Sequence, residues 1–106
     1  MSWIKIFEST AIAEKALTEN QPRLLKVQGR SICLVRQGVT IYAVQNNCTH
    51  NSGSLHQGTI NVSGGLVCPL HQYQFNLKTG REAEQRSGDL ECFPIREEAD
   101  GVFILI

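Results

Sequence analysis

The sequence has little of the features that mark membrane, nucleic-acid-binding or exported proteins. No stretch approaches the roughly 18 consecutive apolar residues of a membrane-spanning helix. Ten Lys and Arg residues balance ten Asp and Glu residues, so there is no positive field to attract nucleic acid. The N-terminal residues alternate and carry charge too early for a signal peptide. The sequence therefore predicts a cytoplasmic protein that binds neither membrane nor nucleic acid.

The composition is that of one ordinary globular domain. The chain has 106 residues, of which 42% are hydrophobic and 19% charged, enough for a single modest core. Its 4 cysteines and 3 histidines are few, so their positions carry weight. Without an export signal, a metal or redox role for the cysteines is favoured over disulfides.

Short apolar runs between turn signals predict an all-β domain. Glycines at positions 29 and 38 lie between neighbouring runs, where they permit the positive φ angles of tight hairpins. A short helix is predicted between Glu8 and Leu17, with Ser9 or Thr10 as its cap. The predicted strands are residues 3–7, 22–28, 31–36, 39–44, 90–96 and 102–106, the last two forming a hairpin.

The middle of the chain has a different character. From residue 45 to about residue 80, Asn, Ser, Gly, Thr, His and Cys replace the regular apolar runs. A long irregular stretch in a compact domain is usually functional. We therefore expect an antiparallel β-sandwich or small barrel base, formed by residues 1–44 and 82–106. A functional segment, residues 45–81, is inserted into it.

Two mixed arms of cysteine and histidine carry the predicted chemistry. Cys48 and His50 lie two residues apart, and after seventeen intervening residues Cys68 and His71 lie three apart. Each arm offers one thiolate and one imidazole. A two-iron cluster needs four protein ligands, and replacing two thiolates by imidazoles on one iron raises its potential. The arms meet this need if the cysteines bind one iron and the histidines the other.

These arms resemble the ligand pattern of the Rieske family, Cys-x-His followed by Cys-x-x-His. The stretch Cys68–Gly80 is also similar to the second cluster loop and following hairpin of Rieske ferredoxins and oxygenases, and Gly53, Leu55 and Gly58 lie where that family turns its first loop. The resemblance covers essentially the whole chain. It implies a Rieske fold and a [2Fe–2S] cluster held by Cys48, His50, Cys68 and His71.

Departures from the family pattern predict a low reduction potential. Gly53 and Leu70 stand where high-potential members have a disulfide between the two loops. Tyr73 and Phe75 stand where those members have a serine and a tyrosine that donate hydrogen bonds towards the cluster. Because fewer donors stabilise the reduced cluster less, we expect a potential near the low end of the Rieske range of about −150 to +300 mV.

The resemblance implies a one-electron carrier with no catalysis of its own. As such, the chain would take electrons from an NAD(P)H-oxidising flavoprotein reductase and pass them to a terminal oxygenase. A small subunit of an assimilatory nitrite reductase is the alternative, although such subunits often lack the cluster ligands. An oxygenase would need two more histidines and a carboxylate for a mononuclear iron, and only His56 remains.

A structural zinc site is the competing interpretation of the four ligands. Common zinc modules place two cysteines on one arm and two histidines on the other, whereas both arms are mixed here, so zinc is disfavoured. Of the remaining residues, Cys33 and Cys92 are expected to be buried, unreactive thiols, although a disulfide between them stays open. His56 is expected on a surface loop, and Trp3 and Phe7 among the packing aromatics.

Overall fold

The computed structural model describes residues 1–49 and 53–106 and confirms an antiparallel all-β architecture. Within those residues the order is β1 (Trp3–Phe7), α1 (Thr10–Ala16), β2 (Arg23–Val27), β3 (Arg30–Gln37), β4 (Thr40–Gln45), a 3₁₀ turn (Leu55–Gln57), β5 (Thr59–Ile60), β6 (Leu66–Val67), β7 (Gln74–Phe75), β8 (Cys92–Phe93), β9 (Ile95–Glu98) and β10 (Gly101–Leu105). No helix in this described part is long and apolar enough to cross a bilayer.

Strands β2, β3 and β4 form the predicted meander, and β8 adds to its edge. The first hairpin turns through Gln28 and Gly29, both at positive φ, and the second through Gly38 at φ 62°. These are the left-handed conformations that two-residue hairpin turns require. The predicted bounds of the three strands therefore differ from the observed ones by only one residue.

Pro94 divides the strand predicted over residues 90–96. Before it, β8 pairs with β4, whereas after it β9 pairs with β10 in a second sheet of order β1-β10-β9. Proline has no N–H to donate to a ladder, so it suits the point where the chain leaves one sheet for another. The prediction of one continuous strand was wrong, while that of the terminal hairpin is confirmed.

Helix α1 begins and ends within the predicted segment. The Ser9 hydroxyl accepts a hydrogen bond of 3.1 Å from the backbone N–H of Ile12, the expected N-cap. Ala13 and Leu17 are completely buried, so the helix packs one face against the neighbouring sheets.

The central strands separate two apolar cores. One core, which we call the base core, is formed by Ala13, Leu17, Val27, Ile32, Leu34, Ile41, Ala43, Phe93, Val102 and Ile104. The other, which we call the tip core, is formed by Cys33, Val35, Val44, Cys48, Leu55, Leu66, Cys68, Phe75, Leu77 and Leu90. Successive side chains of a strand point to opposite faces, so β3 supplies both cores.

A third, small sheet lies between β4 and β8 in the chain. Its strands β5, β6 and β7 are antiparallel and two residues long each. Leu66 and Phe75, paired across it, are buried in the tip core. The irregular middle of the chain is thus built around a miniature sheet that packs on the outer face of β3 and β4.

Candidate metal centre

The first arm leaves the end of β4 and is held by backbone and amide hydrogen bonds. The Cys48 N–H donates to the Gly53 carbonyl at 2.9 Å, and the Leu55 N–H donates to the Asn46 carbonyl at 2.8 Å. Cys48 itself is only 4% exposed. These bonds hold residues 46–48 against residues 53–55, and they keep Cys48 in the tip core. His50 lies outside the described residues.

A buried Asn46 supports this loop in a way that the sequence did not reveal. Its side-chain oxygen accepts a 2.8 Å hydrogen bond from the His56 N–H, and its amide nitrogen lies 3.0 Å from Nδ1 of the His56 ring. Asn46 is 3% exposed, so its amide needs such partners. His56 is half-buried and positions the loop, which fits a structural role better than the simple surface residue expected.

The second arm is the turn between β6 and β7. The Cys68 N–H donates to the Tyr73 carbonyl at 2.8 Å, and Cys68 is completely buried. His71 is exposed and adopts φ 61°, followed by Gln72 at φ 54°. Two consecutive residues in the left-handed region reverse the chain sharply. The turn therefore keeps its thiol inside and presents its imidazole at the surface.

Gly58 allows the two arms to approach each other. A side-chain carbon at this position would lie 2.0 Å from the carbonyl oxygen of Val67, the residue before Cys68. No side chain can occupy that space unless the backbone moves. The glycine noted in the sequence as a turn of the first loop is thus required for packing against the second arm.

The structure brings both predicted thiols into one buried cluster on separate loops. Cys48 and Cys68 share the tip core, while His71 lies on the outside of the same turn as Cys68. Among residues 1–49 and 53–106, no three His, Cys, Asp or Glu side chains form a site for a single metal ion. Two buried sulfur donors together with the surface imidazole of His71 fit the donor types that a two-iron cluster with mixed ligands would need.

The remaining two cysteines stay apart from each other. Cys33 pairs with Val44, and Val44 pairs with Cys92, so two strand spacings, roughly 10 Å, separate the cysteines. A disulfide needs Cα atoms within about 7 Å, and both thiols are free. Burial raises the pKa of Cys33 to about 12. Cys33 is buried as predicted, whereas Cys92 is partly exposed.

The two aromatic residues singled out near the N-terminus differ in burial. Phe7 packs partly buried against the base core. Trp3 is 37% exposed and lies beneath the guanidinium group of Arg96, 4.3 Å from its ring centre. The expectation of a packing aromatic holds for Phe7, while Trp3 is a surface residue covered by a cation.

A known protein family and known sequences match most of this chain. A model of the Rieske [2Fe-2S] domain family matches residues 2–94. The 3-phenylpropionate/cinnamic acid dioxygenase ferredoxin subunit of Shigella flexneri serotype 5b (strain 8401) is 32% identical over 74 residues, which are 69% of this chain and 70% of that protein.

Two solved structures share the fold over nearly the whole chain. A chain from the complex of reduced oxygenase and oxidized ferredoxin in carbazole 1,9a-dioxygenase matches with a TM-score of 0.79 and 26% identity, covering 96% of this chain and 91% of that chain. The putative small subunit of an NADPH nitrite reductase matches with a TM-score of 0.80 and 18% identity, covering 100% of both chains. The latter similarity concerns the fold alone.

Proposed function

The chain belongs to the Rieske [2Fe-2S] domain family, and from this premise we propose that it is a ferredoxin serving a terminal oxygenase. The family match over residues 2–94 carries the proposal, and the named relative is a dioxygenase ferredoxin subunit. The family assigns a Rieske-type [2Fe–2S] cluster to the chain. When bound, the cluster accepts and releases one electron at a time.

We propose Cys48, His50, Cys68 and His71 as the four ligands. The buried positions of Cys48 and Cys68 and the exposed position of His71 support this set. Replacing His71 by Ala should abolish the visible spectrum and most of the bound iron. Leu70→Ala is the matched control, since Leu70 is the 49% exposed neighbour of His71 and has no ligand atom, and it should retain its iron. Equal iron loss in both variants would contradict the ligand assignment.

Metal and sulfide analysis of the purified protein separates this proposal from a zinc site. We expect two irons and two acid-labile sulfides per chain. Zinc in place of iron, in protein prepared under anaerobic conditions, would overturn the proposed function.

The exposed end of the second arm fits the surface of an electron carrier. Leu70 is 49% exposed beside the exposed His71, so an apolar contact lies next to an imidazole. Transient redox encounters bury little surface, below about 1,200 Å². We propose that the oxygenase docks here, after a flavoprotein reductase oxidising NAD(P)H has reduced the cluster in the cytoplasm.

The function is tested by electron transfer to an oxygenase. A Rieske dioxygenase that lacks its ferredoxin should turn over when this protein and a reductase are added, with the His71→Ala variant as the inactive control. The alternative is the small subunit of a nitrite reductase, and a putative subunit of that kind shares the fold over both whole chains. Reduced protein that fails to reduce any oxygenase component, yet co-purifies with a nitrite reductase large subunit, would favour that alternative.

The potential of the cluster is proposed to lie near the low end of the Rieske range. Phe75 is 1% exposed in the tip core and has no hydroxyl to donate. A value near −150 mV, about 250 mV above plant-type ferredoxins, suits reduction by a flavin. A redox titration with a midpoint well above zero would contradict this.

We also propose the domain division expected from the sequence, with residues 1–44 and 82–106 as the base and residues 45–81 as the cluster-binding subdomain. The separation of the base core from the tip core supports it. Residues 82–90, however, contact the cluster-binding side, since Glu82 pairs with Phe75, Gly88 hydrogen-bonds to Thr49 and Leu90 lies in the tip core.

A further inference from the structure

One segment of the chain contacts both cluster loops. Residues 82–88, which we call the clasp segment, follow the hairpin after the second arm and precede Leu90 of the tip core. No disulfide joins the loops in the part of the chain that the structure describes. Contacts between the loops and this segment are therefore non-covalent.

Glu82 anchors the clasp segment to the second arm. It is completely buried and is paired with Phe75 of β7, and the Ala83 N–H donates to the Gln74 carbonyl at 2.8 Å. A carboxylate in such a place is stable only if it is paired and hydrogen-bonded. Pairing with the small sheet thus fixes the position of Glu82.

Arg86 satisfies the buried carboxylate. Its backbone N–H donates to Oε1 of Glu82 at 2.7 Å, and its Nη2 donates to Oε2 at 3.0 Å. The side chain of Arg86 hydrogen-bonds Glu82 strongly enough to lower the carboxyl pKa to about 2. These hydrogen bonds therefore hold the guanidinium group in one orientation, next to the second arm.

The same guanidinium group packs on the second arm. Its central carbon lies 3.9 Å from the ring centre of Tyr73, the stacked arrangement that arginine favours over lysine. The carbonyl of Tyr73 accepts the hydrogen bond from the Cys68 N–H. Arg86 therefore contacts Tyr73, whose carbonyl holds the backbone of the proposed ligand Cys68.

The other end of the clasp segment reaches the first arm. The hydroxyl of Thr49, the residue after Cys48, donates to the Gly88 carbonyl at 2.5 Å and lies 3.1 Å from the Ser87 hydroxyl. This contact spans 39 residues of sequence. One short segment is thereby attached to both loops.

We propose that the clasp segment holds the two cluster loops together, with Arg86 as the residue that positions the second arm. This inference rests on the proposed ligand set. Loosening the clasp should let the loops separate, so the cluster should be lost faster and its electronic environment should change. Arg86 acts through Tyr73, on whose ring it packs.

The test compares two arginines, Arg86 and Arg30, each of which pairs with a glutamate and packs on an aromatic ring. Arg86→Lys keeps the charge but removes the planar fork and the stacking. Arg30 is the matched control, because it pairs with Glu91 and stacks on Phe93 with 4.8 Å between guanidinium carbon and ring centre, on the base side of the molecule. Arg30→Lys should therefore perturb stability without perturbing the cluster.

We expect Arg86→Lys to accelerate cluster loss about tenfold, because lysine replaces bidentate pairing poorly. The rate of cluster loss is measured as the decay of visible absorbance. The g values of the reduced cluster and its visible circular dichroism should also shift. Arg30→Lys should match wild type in all three measurements. If Arg86→Lys matches Arg30→Lys, the clasp has no positioning role.

A second pair of variants tests the first arm. Thr49→Val removes the hydroxyl that meets Gly88 and should also accelerate cluster loss, whereas Thr49→Ser keeps a hydroxyl and should restore the wild-type rate. Equal rates of cluster loss for Thr49→Val and Thr49→Ser would contradict the proposed role of the Thr49 hydroxyl. If wild-type protein itself contains no iron and sulfide, the proposed function fails instead, so the two failures are distinguishable.

Discussion

The base and the tip of this molecule are stabilised by different kinds of interaction. The base core is surrounded mainly by paired strands of four to eight residues, with the two-residue β8 at one edge, so its order comes from ladders and apolar burial. The tip core is covered by two-residue strands and by loops tied through side chains. Asn46, Glu82 and Thr49 each make a polar contact that no ladder supplies.

This difference suits a protein that must hold a cofactor at one end. Long strands provide a rigid support and tolerate many substitutions that keep their alternation. The loops of the tip must place the proposed ligands in one geometry, and single polar residues support that placement. Substitutions that disturb these tip contacts should therefore change the cluster, while substitutions in the base should change stability alone.

Gly58→Ala is expected to have the largest effect on the tip. The new carbon would lie 2.0 Å from the Val67 carbonyl oxygen, so β6 and Cys68 must move. We expect purified protein with little iron and sulfide, measured by metal analysis. Gly88→Ala is the control, since a side-chain carbon there meets nothing within 4 Å. Full cluster content in the Gly58→Ala protein would contradict the close approach of the two arms.

Ile104→Ala should produce the opposite pattern in the base. Ile104 is completely buried in the base core, on the middle strand of its sheet. Losing that side chain should destabilise the protein by about 3 kcal/mol, measured by denaturant unfolding. The visible spectrum and the potential of the folded fraction should stay those of wild type. A changed spectrum would show that the two regions are more strongly coupled than their separate cores indicate.

Acid titration compares an ion pair of the tip with one of the base. Hydrogen bonds from Arg86 lower the pKa of Glu82 to about 2, below its value in an unfolded chain. The resulting stabilisation is complete above about pH 4.5 and is lost as the pH falls towards 2. Replacing Glu82 by Gln should cost roughly 2 kcal/mol at pH 7 and progressively less below pH 4.5, measured as the midpoint of thermal unfolding.

The matched variant in the base is Glu98→Gln. Glu98 pairs with Arg96 at 3.6 Å, with about half of each side chain exposed. Exposed pairs contribute less than about 1 kcal/mol, so this variant should differ little from wild type at any pH. If both variants lose the same stability, the burial of Glu82 has no energetic consequence.

The sequence predicts the base better than the tip for the same physical reason. Strands β2 to β4 follow from alternation and hairpin glycines, which are local signals. The division at Pro94 depends on which sheet each half of the segment joins, and that is decided by distant partners. The contacts of His56 with Asn46 and of Arg86 with Glu82 leave no pattern in sequence spacing. In the tip, the four proposed ligands Cys48, His50, Cys68 and His71 stood out, because their residue types and spacing are rare.

The smallest expected effect concerns the strand that lies between the two cores. Cys33 lies with Val35 on the face of β3 that faces the tip core, and burial raises the pKa of Cys33 to about 12. Cys92 is partly exposed, and burial together with the charges of Asp89 and Glu91 raises its pKa. Both thiols should be slow to alkylate, since the thiolate is the reactive form.

Cys33 should nevertheless be the slower of the two by about tenfold, because its reaction also requires the tip core to open. Iodoacetamide labelling of the oxidised protein at pH 8, followed by peptide mass spectrometry, measures both rates in one sample. The Ile104→Ala protein should label Cys33 faster only as far as global unfolding increases. Equal labelling of Cys33 and Cys92 in wild type would mean that the tip opens freely while the base stays folded. The two regions would then differ in their motion as well as in their bonding.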